Sequence, residues 1–420
     1  MAPPVPPPAA TPKPGGLRGW LYKRFPIQEF IADQLTGYYA PKNFNFWYFF
    51  GSLALVVLVL QLATGIFLTM FYKPGEATSF DSVEFIMREV QWGWLIRYMH
   101  STGASVFFLV VYLHMFRALL YGSYKAPREL LWLLGMLVYL ALMAEAFFGY
   151  VLPWGNMSFW GAQVIVNLFG TIPVIGSDLV LWIRGDYGIA DATLGRFFAL
   201  HVAAVPLAIL LLVALHLVAL HQTGSNNPDG IEIKERVGAD GHPLDGIPFH
   251  PYYTVKDIMG VGVMLIFIAI VVFFVPSFGG VFLEAPNFEP ANPMSTPEHI
   301  APVWYFTPYY AILRAVPDQR AGALLMFLAV ALFVFLPWLD RSPVKSMRYR
   351  GLLSRGALAI FAVSFVALGY LGLQPAEGLY VILARVFGVG YFSFFLLMPW
   401  YSRIDKVKPV PERVRFHGHA

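Results

Sequence analysis

The chain has 420 residues, 58% of them hydrophobic and 13% charged, with a formal net charge of +4. Soluble domains carry about 25% charged residues, so composition excludes a soluble globular or disordered chain and leaves a polytopic membrane protein. Zero cysteines exclude disulfides, thiolate metal sites, iron–sulfur ligation and covalent c-type haem within this chain, and the modest charge gives no case for nucleic-acid binding.

Met1 to Gly16 is rich in proline and lacks an apolar core, so it is expected to be a mobile tail, neither a signal peptide nor a span. Eight apolar stretches of spanning length follow: Trp47–Phe71, Met99–Tyr121, Leu130–Leu152, Phe197–Leu220, Ile258–Phe278, Gly322–Leu339, Ala357–Leu373 and Leu379–Trp400. They are apolar on every face, which fits helices and not the alternating strands of a barrel. The expected fold is therefore all-α, with eight transmembrane helices. An even number of spans puts both termini on one side. Of the 29 Lys and Arg, only Lys73, Arg88, Arg97, Arg184, Arg196, Arg314, Arg320 and Arg385 fall on the opposite side. Positive charge stays inside, so the termini are expected in the cytoplasm or a mitochondrial matrix. Two outer connections, 151–196 and 279–319, are too long to be mere links, and long ordered loops tend to be functional. The inner loop, 222–257, is polar and reads as solvent-facing.

Four histidines stand inside spans, where polar side chains are costly and usually functional. His100 and His114 lie fourteen residues apart on the second span, and His201 and His216 fifteen apart on the fourth. Fourteen residues of helix rise about 21 Å and return to nearly the same face. These two spans run parallel, so His100 is expected level with His201 near the outer surface, and His114 level with His216 toward the inner one. Two imidazoles facing each other at one depth can hold one iron axially, and two such levels give two stacked haems. Interhelical hydrogen bonding is the plainer use of one such histidine, but four at matched depths favour iron. Gly51 and Gly65 on the first span, and Gly135 and Gly149 on the third, repeat the fourteen-residue interval. Without side chains they let the backbone recede for a flat porphyrin. Arg97 and Arg117, each three residues from a histidine, stand where carboxylate groups of such a cofactor would emerge. This divides the chain into a tail and amphipathic arm (1–46), a di-haem four-helix bundle (47–221), the inner loop (222–257), a four-helix C-terminal region (258–402) and a final tail (403–420).

With these residues in place the sequence resembles cytochrome b, the membrane subunit of the quinol–cytochrome c reductase, or cytochrome bc complex. The likeness runs from about Lys42 to Trp400. It is carried by Arg97-Tyr98-Met99-His100, Gly149-Tyr150-Val151-Leu152-Pro153-Trp154-Gly155, Ser158-Phe159-Trp160-Gly161, His216-Leu217-Val218-Ala219-Leu220-His221, Gly224-Ser225-Asn226-Asn227-Pro228 and Phe249-His250-Pro251-Tyr252-Tyr253. The resemblance implies two non-covalent b-type haems and an outer quinol-oxidation site at Tyr150, Trp160, Gly161 and Pro302-Val303-Trp304-Tyr305. It also implies an inner quinone-reduction site at His221, Lys256 and Asp257. Electrons would leave for a Rieske-type iron–sulfur protein and a c-type cytochrome subunit, in a homodimeric complex that builds a proton gradient. Such partners must be separate chains, since this one has no cysteine. The extended tails and Val303 point to a bacterial inner membrane with cytoplasmic termini.

Two departures stand out. The family commonly has glutamate where this chain has Val303, and quinol oxidation needs a proton acceptor within hydrogen-bond reach. Glu284, Glu145 and Glu298 are the candidate substitutes, in that order. The fifteen-residue interval from His201 to His216 exceeds the usual fourteen, and Pro206 could kink the helix to absorb the extra residue. The alternatives are a haem-bearing anchor for another quinone oxidoreductase and a proton-coupled transporter. A transporter built from paired interrupted helices in two repeated halves is not visible, because the second half lacks the histidine pairs.

Overall fold

The computed structural model describes residues 16–24 and 37–415. Residues 1–15 of the expected tail, 25–36 of the arm and 416–420 of the final tail lie outside it. The chain order is α1 (Gly16–Arg24), β1 (Tyr39–Pro41), α2 (Phe46–Thr69), α3 (Ser79–Arg88), α4 (Gly93–Tyr121), α5 (Glu129–Val151), α6 (Asn156–Phe169), α7 (Gly176–Arg184) and α8 (Asp191–Thr223). Then come β2 (Gly246–Pro248), α9 (Phe249–Phe274), α10 (Thr307–Ala315), α11 (Gln319–Val334), α12 (Leu352–Leu371), α13 (Gly378–Leu396) and α14 (Met398–Ile404).

Among the described residues seven helices, α2, α4, α5, α8, α9, α12 and α13, are long and apolar enough to cross a membrane. The sixth expected span differs. It is the 16-residue α11, capped by the Asp318 carboxylate on the Ala321 amide at 2.8 Å, and only a four-residue turn, Leu336–Leu339, continues it. Pro337 explains the break, because it offers no amide to the ladder. Several helices also outrun their apolar stretches: α4 starts at Gly93, α8 at Asp191 and α9 at Phe249. Backbone hydrogen bonding continues through polar side chains at the membrane surface, which hydropathy alone does not register.

Within the bundle α2 packs on α4, and α5 on α8. The second half packs α12 on α13 and sets the short α10 against α11, α12 and α13, while α9 lies against α2 and α4. The two long outer connections are largely helical: α6 and α7 fill the first, and 3-10 turns leading to α10 fill the second.

The inner loop 222–257 is exposed over 234–237 and 239–242 and tied down elsewhere. Its β2 pairs antiparallel with β1, Ala40 opposite Ile247, and buried ions anchor it. Arg128 makes a two-pronged contact to Glu232 at 2.5 and 2.7 Å, and Lys345 joins the same carboxylate. Asp229 takes Arg348 and the Tyr349 hydroxyl, each at 2.7 Å, and Asp245 takes Lys42 and Arg413, each at 2.8 Å. Beside the loop Asp340, its side chain fully buried, is bonded to Arg350 and Tyr124 at 2.6 Å. Burial alone would raise the Asp340 carboxyl; Arg350 and Lys125 outweigh it and hold it below the usual carboxylate range.

Candidate functional site

The four span histidines meet in two pairs. His100 and His201 have ring centroids 6.1 Å apart with planes at 89°, and His114 and His216 stand 6.4 Å apart at 60°. Metal–imidazole bonds are about 2 Å long, so each gap accommodates one metal atom with a nitrogen on either side. The extra residue between His201 and His216 is taken up as a π-helical turn, Leu200–Ala204, in which the Val205 amide reaches back to the Leu200 carbonyl. Pro206 follows directly. The expected kink is thus a one-residue bulge at His201 itself, and π-bulges recur at functional sites.

Each interval glycine faces a histidine. A Cβ on Gly51 would stand 3.3 Å from His114 Cε1, on Gly65 3.3 Å from His100 Cε1, on Gly135 3.1 Å from His216 Cε1 and on Gly149 2.4 Å from His201 Cε1. The space anticipated for the face of a porphyrin is occupied by imidazole edges. The glycines let each ring lie against the neighbouring helix and point across the bundle, and this is the cradle a cofactor clamped between the rings requires.

The second ring nitrogens of His100, His201 and His114 each have a close neighbour, while that of His216 is buried without a hydrogen-bond partner among the described residues. His100 Nδ1 is 2.9 Å from the Thr64 hydroxyl, and Gln61 donates to the His100 carbonyl at 3.1 Å. His201 Nδ1 lies 2.9 Å from the Glu145 carbonyl and 3.0 Å from its carboxylate Oε1. Arg117 Nη2 is 3.4 Å from His114 Nδ1, while Arg97 lies on α4 one turn before His100. Sequence reasoning missed Thr64; a hydroxyl adjoining Gly65 in an apolar span was the available signal.

On the outer side an apolar cavity of about 1100 Å³ opens between α5, α6, α10 and α11, lined by Phe147, Tyr150, Gly161, Pro302, Val303 and Phe306 among others. Ligand sites are commonly apolar hollows with a few placed polar groups. Here the polar groups on the wall include Tyr150, Tyr309, Tyr310 and Arg196, and Glu284 stands behind the wall, joined to it through Tyr150. Its Oε2 accepts from the Tyr150 hydroxyl at 3.3 Å and from Asn287 Nδ2 at 3.4 Å. Burial pushes its carboxyl up to about 7, against the pull of these hydrogen bonds. Gly161 rests 3.7 Å from the Tyr150 ring by its virtual Cβ.

The other outer candidates are placed differently. Glu145 turns to His201 and does not line the cavity, and Glu298 is exposed. Trp160 donates to the Asn292 and Ser295 carbonyls at 3.2 Å, so it pins the outer loop. Trp304 donates to Ser105 at 3.1 Å, and Tyr305 stacks on Phe108 at 3.9 Å with planes 2° apart. These two rings hold Pro302 and Val303 at the cavity wall and do not line it themselves. On the inner side His221 stacks on Tyr38 at 4.6 Å, Asp257 accepts from Ser52 at 2.9 Å, and the Lys256 ammonium lies 5.2 Å from the Tyr253 ring centroid.

A multi-pass helical membrane protein with paired histidines at two depths is the class that this architecture defines. Profiles of two families match, Cytochrome b/b6/petB over residues 35–224 and Cytochrome b(C-terminal)/b6/petD over residues 290–392. The chain is 63% identical over 403 residues to a cytochrome b of Allochromatium vinosum, covering 94% of this chain and 97% of that one. It is 50% identical over 393 residues to a cytochrome b of Rhodospirillum rubrum, covering 93% and 94%. A solved structure titled Hyperthermophilic respiratory Complex III is similar at a TM-score of 0.85 and 40% identity, over 92% of this chain and 98% of that one. The chain belongs to the cytochrome b/b6 family. Membership implies haem b and a role in respiratory electron transport.

Proposed function

We propose that this chain is the di-haem b subunit of a quinol–cytochrome c oxidoreductase, with His100 and His201 holding the outer haem and His114 and His216 the inner one. Bound haem would supply one-electron exchange at each of the two depths. The observation that carries the reading is the pair of histidine levels with a quinol-sized apolar cavity beside the outer one. Quinol enters against Pro302, Val303 and Phe306. Glu284 receives a proton through the Tyr150 hydroxyl, which lines the cavity and donates to the carboxylate that Asn287 also holds, in the place that Val303 cannot fill. A carboxyl near 7 is poised for that transfer. At the inner end His221, Lys256 and Asp257 bind quinone and deliver protons to it. The iron–sulfur and c-type haem groups come from a Rieske-type protein and a cytochrome subunit, in a homodimeric complex of a bacterial inner membrane, with both termini cytoplasmic and a proton gradient as output.

The test is quinol-dependent cytochrome c reduction by the intact complex. Wild type should catalyse it, with a rate that climbs as pH rises through about 7 and Glu284 loses its proton. Full activity with a flat pH profile in Glu284→Gln would remove Glu284 from the reading.

A further inference from the structure

The surroundings of the four second ring nitrogens are unequal, and that of His216 has no hydrogen-bond partner among the described residues. An imidazole that binds metal through Nε2 carries its proton on Nδ1, and the acceptor of that N–H fixes the ring and raises its basicity. His100 has the Thr64 hydroxyl, and His114 has a guanidinium, which accepts nothing. His201 alone among the four, within the described residues, is backed by a carboxylate: Glu145 Oε1 at 3.0 Å, supplementing the Glu145 carbonyl at 2.9 Å. Glu145 Oε2 is buried without a hydrogen-bond partner, so the side chain is committed to His201. An acid in a membrane span is costly, and among the described residues it forms no ion pair with Lys or Arg and does not line the apolar cavity. Charged acceptors bind an N–H more strongly than neutral ones. A more basic imidazole donates more charge to iron and favours its ferric over its ferrous form.

We propose that Glu145 is a positioning residue that acts through His201, orienting the ring and lowering the reduction potential of the outer haem relative to the inner one. The proposal rests on the reading of His201 as an iron ligand. Arg97 stands on the other helix of the same level, one turn before His100.

The experiment is a spectroscopic redox titration of the intact complex with Glu145→Gln and Glu145→Ala, alongside low-temperature electron paramagnetic resonance of both ferric haems. Second-sphere partners of metal-binding histidines are worth about tenfold or more, and tenfold for one electron is about 59 mV. The outer-haem potential should rise by about that amount in Glu145→Ala and by less in Glu145→Gln. Its ferric signal should shift in both, and the inner haem should stay unmoved. Two retained haems with an unchanged outer potential in both variants would overturn the proposal. Loss of the outer haem in Glu145→Gln would also overturn it, by making the residue a structural support. A His201 variant that keeps both haems would instead sink the underlying ligand assignment, whatever the Glu145 variants do.

Discussion

The outer and inner ends of the helical bundle use the same scaffold and opposite electrostatics. At the outer end one carboxylate backs a histidine, a second carboxylate stands beside an apolar cavity, and aromatic rings set the walls. At the inner end a guanidinium approaches the histidine, and dense buried ion pairs tie the loop, the helix ends and the C-terminal segment together. The difference teaches that the two ends solve separate problems. On the proposed reading the outer end admits an apolar molecule and takes protons from it. At the inner end paired charges hold polar backbone and the loop in place beside the proposed quinone-reducing residues.

The strongest way to break this comparison is at the glycines. Gly149→Ala places a methyl group 2.4 Å from His201 Cε1, whereas Gly51→Ala meets His114 at 3.3 Å, which a small shift relieves. The first variant should purify without its outer haem and the second with both, as counted by haem per chain. Next in size is Glu284→Gln. Removing a positioned proton acceptor should slow quinol oxidation by about 10²–10⁴-fold, while haem content and inner-site quinone binding stay as in wild type. The inner end is sharpened by Arg350→Leu. Arg350 is 1% exposed and the Asp340 side chain fully buried, so a carboxylate left with Lys125 and Tyr124 alone should cost about 1–3 kcal/mol, read as a lower unfolding midpoint in denaturant. The smallest effect belongs to Thr64→Val, which removes the partner of His100 Nδ1. It should weaken retention of the outer haem by about 1 kcal/mol, measured as a faster loss of haem to an apo-acceptor protein.

Much of this was legible in the sequence because membranes impose simple rules. Backbone satisfaction forces helices, and helical rise converts the fourteen-residue interval into two depths. The fifteen-residue interval was legible as an anomaly, but its solution was not: Pro206 signals a break, while the π-turn at Leu200–Ala204 depends on which carbonyls find partners in three dimensions. Glu284 could be named as a candidate from its loop, yet only packing brings it against Tyr150 across 134 positions of sequence. Glu145 was read as a candidate for the cavity because span position gives depth but not the direction of a flexible side chain. Trp160, Trp304 and Tyr305 were legible as outer-site residues. Their work as pins and not as wall is set by hydrogen bonds to segments far along the chain.

The most direct measurement of the whole account is haem stoichiometry in purified complexes carrying single replacements of His100, His201, His114 and His216 by leucine. Wild type should hold two haems per chain. Either outer replacement should remove one haem, and either inner replacement the other, told apart by their spectra. Retention of both haems after loss of any one of these four imidazoles would contradict the account.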